Sequence, residues 1–250
     1  MKRNTWIVIG VVAIAIGLGL LLSPLASFTN ASDTQTFSGV TAIEFDLDNS
    51  PIELRSGGEE VIVDYTYSSG WFGSAGVNLD QSGETLRLEQ ECPGFFIAWG
   101  CQASFDVTVP PGVEVFGSTS NGAVVLTGIE GHVDVTTSNG AISLEDVTSA
   151  VVARTSNGAI IGEGLSSDEF DVATSNGRIT LAFVTAPSTL SARSSNGTIE
   201  VVLPTDAPPF AVETSTSNGR VSADIRTDPA ADASISLQTS NGDITVGYDD

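Results

Sequence analysis

Thr119-Ser120-Asn121-Gly122-Ala123-Val124-Val125-Leu126 is the stretch on which the reading of this chain turns. The same Thr-Ser-Asn-Gly turn and alternating apolar segment return at Asn139, Asn157, Asn176, Asn196, Asn218 and Asn241, each preceded by Ser and followed by Gly. Thr stands two before Asn throughout, except where Ser194 takes its place. Successive asparagines lie 18, 18, 19, 20, 22 and 23 residues apart. Self-similarity at a period near twenty residues marks a solenoid, whose coils cannot bury their apolar faces alone and must stack.

Aligned on Asn, the repeats separate into columns by chemistry. Three residues after it stand Val124, Ile142, Ile160, Ile179, Ile199, Val221 and Ile244. Two further on come Leu126, Leu144, Gly162, Leu181, Val201, Ala223 and Val246; six before it come Val115, Val133, Val151, Phe170, Leu190, Val212 and Ile235. Polar residues fill most columns between, the period-two mark of strands with one buried and one wet face. Each coil therefore holds at least two short strands. Ile129, Val147, Leu165 and Val184, eight after Asn, predict a further strand or bend.

Strand parity places Thr and Asn inward and Ser outward, with Gly supplying an unusual φ at the bend. An inward asparagine is costly unless its amide is bonded. Stacked in one column, the seven carboxamides can satisfy one another, each donating to the next coil and accepting from the previous one. The expected fold is thus all-β, a single-stranded parallel β-helix of about 7–8 coils with an inward asparagine ladder. The ladder is read as structural and not as a ligand site.

The 250 residues, 41% hydrophobic and 7% aromatic, suit one elongated β domain with additions. Residues 1–25 form the first addition. Met1-Lys2-Arg3-Asn4-Thr5 precedes an uncharged run from Trp6 to Leu22. Lys2 and Arg3 place the start of this segment in the cytoplasm. It reads as a transmembrane anchor, or as a signal peptide if cleaved near Ala31; either way the remainder leaves the cytoplasm. Residues 26–37 read as a linker, 38–112 as an irregular β section or cap, and 113–250 as the regular array.

Within the irregular section, Asn49, Ile52 and Leu54 reproduce the Asn column and both columns after it, a degenerate first coil. Strands are expected at Val61–Tyr67, Thr85–Glu91 and Ala103–Val109. Two glycine-flanked loops carry large apolar residues: Trp71 and Phe72 in one, Phe95, Phe96 and Trp99 in the other. They either fold over the open end of the solenoid or stay exposed as binding loops. Cys92 and Cys101 bracket the second loop, and in an extracytoplasmic chain they are expected to form a disulfide closing a hairpin.

Charge narrows the partners. The net charge is −22, and beyond Leu22 there are 7 Arg against 31 Asp and Glu, or −24. Such a surface repels nucleic acid. Its self-repulsion is screened in concentrated salt, so a halophilic setting is expected, with an acidic wall-associated protein as the alternative.

Catalytic chemistry has little to stand on. A nucleophile needs a positioned base, and His132, the single histidine, sits in a bend between coils. Glu145 and Glu163 share a column on adjacent coils, within the separation that a retaining glycosidase uses, yet acids are common on this face. Neither a metal nor a cofactor is expected, because no calcium-loop spacing or His/Cys cluster occurs. Arg154, Arg193, Arg178 and Arg220 read as ion-pair partners for outward acids. Asn30 and Asn196 begin glycosylation sequons.

The Val109-Pro110-Pro111-Gly112-Val113 segment and the Thr-Ser-Asn-Gly-x-Ile-x-Leu units resemble the β-strand-repeat domains labelled "putative adhesin", a family of unknown function. The resemblance runs from about Ser38 to Asp250. It implies a right-handed-type β-solenoid outside the cell, often beside a membrane helix, and transfers no catalytic or binding residue. The expected function is a membrane-anchored, extracytoplasmic structural or interaction module. Binding of glycan or envelope components through the aromatic loops, and cleavage of polysaccharide through Glu145 and Glu163, are the alternatives.

Overall fold

The computed structural model describes residues 29–70, 73–74, 76–91 and 102–249. All the regular structure among them is β. The front section gives β1 (Thr29–Phe37), β2 (Ala42–Leu47), β3 (Ile52–Ser56), β4 (Val61–Gly70), β5 (Gly73–Ser74), β6 (Gly76–Ser82), β7 (Thr85–Glu91) and β8 (Ala103–Val109). Each repeat then supplies one strand before its turn and one after it. These are β9 (Glu114–Thr119) and β10 (Val124–Thr127), β11 (Val133–Thr137) and β12 (Ile142–Glu145), and β13 (Val151–Thr155) and β14 (Ile160–Leu165). They continue as β15 (Glu169–Asn176) and β16 (Ile179–Phe183), and β17 (Thr189–Asn196) and β18 (Ile199–Leu203). The last are β19 (Ala211–Asn218) and β20 (Val221–Ala223), and β21 (Ser234–Asn241) and β22 (Ile244–Tyr248).

Two sheets share the work. Strands that lead into the turns form a 10-stranded sheet, ordered β19-β21-β17-β15-β13-β11-β9-β2-β7-β6. Strands that follow the turns form the core of a 12-stranded sheet, ordered β1-β4-β8-β3-β10-β12-β14-β16-β18-β22-β20, with β5 beside β4. Successive coils pair in parallel with the aligned columns in register, as in Val124↔Ile142, Leu126↔Leu144 and Val133↔Val151. The inward columns close one continuous aliphatic core, in which Val115, Leu126, Ile142, Leu181 and Leu190 are all buried.

The described strands make nine stacked coils, more than the expected number. Asn49 and its followers do form a coil: Ile52 pairs with Val124 and Leu54 with Leu126. The additional coil is β7 with β8, which lie alongside β2 and β3 respectively. β7 and β8 belong to different sheets and do not pair with each other; the hairpin expected across residues 92–101, with Cys92 and Cys101, lies outside the described residues.

The coils are not stacked in chain order. β2–β3 sits between β7–β8 and β9–β10, although β7–β8 follows it in sequence. At the far end β21–β22 sits between β17–β18 and β19–β20. Apolar content explains the second exchange. The later coil brings Ile235, Leu237, Ile244 and Val246, all buried, whereas the earlier one brings Val212, Thr214, Val221 and Ala223, with Val221 43% exposed. A fully buried leucine contributes about 1.5–3 kcal/mol, so the richer coil takes the two-sided slot. The wide spacings of 22 and 23 residues around Asn218 are what stepping over a slot and returning require.

Two local expectations change. Residues 26–37 are not all linker, because β1 runs antiparallel to β4 from Thr29↔Ser69 to Phe37↔Val61. Its polar composition suits an edge strand. Val184 is 63% exposed, and Phe183 takes the interior place instead, after a register shift between Gly162 and Leu165. The absent side chain at Gly162 makes the room: a Cβ there would lie 2.7 Å from Cδ1 of Leu165. Phe183 then packs edge-on against Phe170.

Residues 1–28 lie outside the described residues, and with them the expected anchor or signal. No helix among the described residues is long and apolar enough to cross a membrane.

Candidate functional site

The turn motif builds the surface beside it. Thr137 Oγ1 donates to the carbonyl of Gly122 one coil back, at 3.0 Å. Thr155, Thr174 and Ser194 do the same to Gly140, Gly158 and Gly177. Thr239 reaches Gly197, and Thr216 reaches Gly242. These hydroxyls are inward, as strand parity requires.

The asparagines are not inward. All seven are exposed, because the chain has already begun to round the corner at Ser. The interior at the corner is filled by the Thr hydroxyl and the glycine carbonyl beneath it. Along the outside edge each carboxamide donates to the coil before it in space. Asn121 donates to Asn49, Asn139 to Asn121, Asn157 to Asn139, Asn176 to Asn157 and Asn196 to Asn176, all at 2.7–2.9 Å. The exchanged coils keep the rule: Asn241 donates to Asn196, and Asn218 to Asn241.

Glycine is needed for proximity and not for its φ. None of Gly122, Gly140, Gly158, Gly177, Gly197 and Gly219 has positive φ. A Cβ on Gly140 would lie 1.8 Å from the carbonyl oxygen of Gly122, and one on Gly177 equally close to that of Gly158. Ser50 occupies the glycine position of the β2–β3 coil. It is fully buried, donates to Gln90 Oε1 at 2.6 Å and accepts from the Ala103 amide.

With Thr turned in and Asn rounding the corner, Ser is left facing outward. Ser120, Ser138, Ser156, Ser175, Ser195, Ser240 and Ser217 form an exposed column along the 10-stranded sheet, at the strand spacing of about 4.8 Å. All of these serines but Ser120 line an open groove of about 720 Å³. No acidic residue is among its lining, which includes Arg154 and Arg193. On a chain of −22 this is a distinct electrostatic setting.

The two arginines are held from one side. Arg154 Nη2 and Arg193 Nη1 reach the two carboxylate oxygens of Asp171 at 2.8 and 3.1 Å. In register, Arg154 and Arg193 flank Ala173 on the strand between them. Two guanidinium groups thus stand either side of a small floor, fixed by a carboxylate on the neighbouring column. The pairing of these arginines with an outward acid is legible in the sequence. Their convergence on Asp171 is not, because it depends on which coils are spatial neighbours.

The other sequence candidates are placed as follows. Glu145 and Glu163 are register neighbours, both exposed, on the outer face of the 12-stranded sheet. His132 lies against Phe116, with ring centroids 5.7 Å apart. Among the described residues Arg178 and Arg220 make no ion pair, which departs from the expectation for them; the Arg220 amide instead donates to Asp243. Trp71, Phe72, Phe95, Phe96 and Trp99 lie outside the described residues, as does the structure around Asn30's side chain. No group of metal-ligating side chains occurs among the described residues.

A second groove lies at the front end, where the phenol of Tyr65 donates to Asp33 Oδ2 at 3.1 Å and accepts from Gln35 Nε2. Burial raises the pKa of this phenol; the Gln35 bond opposes the shift and Asp33 adds to it. The carboxylates of Asp33, Asp64 and Asp106 leave this groove acidic.

The family described as Toastrack DUF4097 matches residues 113–247, more than half of the chain. No curated protein matches it. Among solved structures, a "putative adhesin" of Parabacteroides distasonis ATCC 8503 is 14% identical, covering 90% of this chain and 98% of its own, with a TM-score of 0.48. A "putative lipid binding protein" of the same organism is 10% identical, with coverage of 90% and 98% and a TM-score of 0.47. A "putative adhesin" of Bacteroides fragilis NCTC 9343 is 11% identical, with coverage of 90% and 99% and a TM-score of 0.46.

Proposed function

The chain belongs to the Toastrack DUF4097 family, and we propose that it is a non-enzymatic interaction module displayed on the outside of the cell. The observation that carries this reading is the outer face of the 10-stranded sheet. A packed core holds a column of seven serine hydroxyls at a fixed spacing, along a groove free of acidic lining. That arrangement recognises something extended and hydroxylated, and does so without moving parts. The Trp6–Leu22 run supports delivery across the membrane, as an anchor or as a signal. The acidic remainder suits a surface bathed in concentrated salt, where its self-repulsion is screened.

Cells expressing the full chain should acquire adhesion to other cells or to envelope polysaccharide. They should lose it when Ser156, Ser175 and Ser195 are replaced together by Glu, with the thermal unfolding of the domain unchanged. Release of reducing ends from a polysaccharide by the full chain, abolished by Glu145→Gln, would overturn the reading and make the protein an enzyme.

A further inference from the structure

We propose that Arg154, Ala173 and Arg193 form a seat for one oxyanion of an acidic glycan, whose hydroxyl-rich backbone follows the adjacent serine column. The inference rests on the interaction-module reading and names its ligand class. Three observations carry it.

The first is placement. Arg154 and Arg193 occupy one column, two strands apart, with Ala173 between them in that column. Two strand spacings are about 10 Å, so an oxyanion above Ala173 stands within reach of a guanidinium on each side. The second is preorganisation. Asp171 takes one nitrogen from each guanidinium, at 2.8 and 3.1 Å. A guanidinium carries five N–H donors in a rigid fork, which leaves both arginines with donors to spare while Asp171 draws them towards one another. Two arginines and one aspartate leave a local charge of +1. The third is context. Asp171 contacts both arginines from outside the groove lining, and the lining itself holds no carboxylate, although the chain carries 31 Asp and Glu. A neutral sugar would need no such exclusion, whereas an anion does.

The ligand is a glycan and not a small anion alone because of the serines. Ser156, Ser175 and Ser195 lie two residues along from Arg154, Ala173 and Arg193, on the same outer face, each able to donate and accept. A uronate or sulfated sugar presents the oxyanion and the hydroxyls on one chain. Nucleic acid meets the same long-range repulsion and offers at most one free hydroxyl per unit to the serine column.

Salt gives the inference a signature. The long-range repulsion between an acidic polymer and this chain is lost as the Debye length falls from about 10 Å at 0.1 M to about 3 Å at 1 M. Contact between guanidinium and oxyanion is screened much less. Retention of an acidic glycan should therefore rise with salt at first, the opposite of binding to a basic surface.

The test immobilises polygalacturonate, a sulfated polysaccharide and a neutral glucan, and measures binding of the full chain in detergent across 0.05–1 M salt. Preference for either acidic polymer, strengthening between low and intermediate salt, is expected; which of the two is preferred separates carboxylate from sulfate. Arg154→Ser with Arg193→Ser should weaken it about 10- to 100-fold. Ala173→Trp, which keeps both charges and fills the seat, should weaken it comparably. Equal binding to the neutral glucan, or undiminished binding by both variants, overturns the proposal. A full chain that confers cell adhesion while ignoring all three polymers sinks the seat and leaves the interaction-module reading standing. One that binds acidic polymer while conferring no adhesion supports the seat and sinks the broader reading.

Discussion

The two ends of this solenoid are finished by different means. At the front, the β7–β8 coil is as apolar as the interior, with Leu86, Leu88, Phe105 and Val107 buried, because antiparallel strands cover it. β4 pairs with β8 and β1 with β4 on one sheet, while β6 pairs with β7 on the other. At the back, among the described residues, no antiparallel strand is added beyond β19 and β20. There the terminal coil is itself the cap: Thr214 stands where neighbouring coils have Leu237 or Ala192, and Ala223 stands where they have Val246 or Val201. Parallel coils leave an unpaired edge wherever they stop. One end hides that edge under added strands, and the other makes its last coil too polar to attract a partner.

The largest expected effect falls between the ends. Gly177→Ala inserts a Cβ 1.8 Å from the Gly158 carbonyl, a backbone atom that no rotamer change can clear. Overpacking of this kind should cost more than about 3 kcal/mol in urea unfolding. Gly219→Ala makes an equivalent contact with Gly242, but on the last coil, where one side is free to shift. It should cost clearly less, and equal costs would show that the back end is as constrained as the middle.

Leu237→Ala comes next. Leu237 is fully buried in the exchanged coil, and its truncation should cost about 2–5 kcal/mol. Thr214→Ala, one coil further out, should cost under about 1 kcal/mol. Asn157→Ala removes one link of the exposed ladder and should cost about 1 kcal/mol, measured the same way.

The smallest effect distinguishes the ends by pH. Burial raises the Tyr65 pKa in the folded state, so the protonated phenol is favoured by folding. Its contribution is complete below the unfolded value near 10 and is lost as pH rises through the raised folded value. Loosening in strong alkali should therefore begin at the front, read by hydrogen exchange of β1 and β4. Tyr65→Phe should remove that pH dependence.

How much of this was legible depends on which residues carry information locally. The apolar columns were readable because a buried face imposes period two on every coil, and Val124, Ile142 and Ile160 obey it. β7 and β8 fell where alternation placed them. The asparagines were misjudged by carrying strict alternation through a corner, where backbone crowding at glycine decides direction. The exchange of coils was encoded twice, in the weak columns of Thr214 and Ala223 and in the longer spacings around Asn218. Neither signal points to rearrangement until stacking order is questioned. The meeting of Arg154 and Arg193 at Asp171 was invisible for the same reason, since the two arginines are 39 residues apart and meet across β15.

The slot held by β21–β22 has a consequence for the order of assembly. Domains generally fold from the N-terminal side as the chain is made, and β9 to β18 can add coil by coil in that direction. β19–β20 cannot take its place among them, since among the described residues its partners in the sheets are β21 and β22 alone. Residues 211–223 must wait, unpaired and tethered, until residues 234–248 slide in beside β17 and β18 and receive them on the other side. The array grows like a zip whose last two teeth close in reverse, so ribosomes or translocases that stall before residue 234 leave the β17–β18 edge open, and quality-control machinery has a period in which to find it.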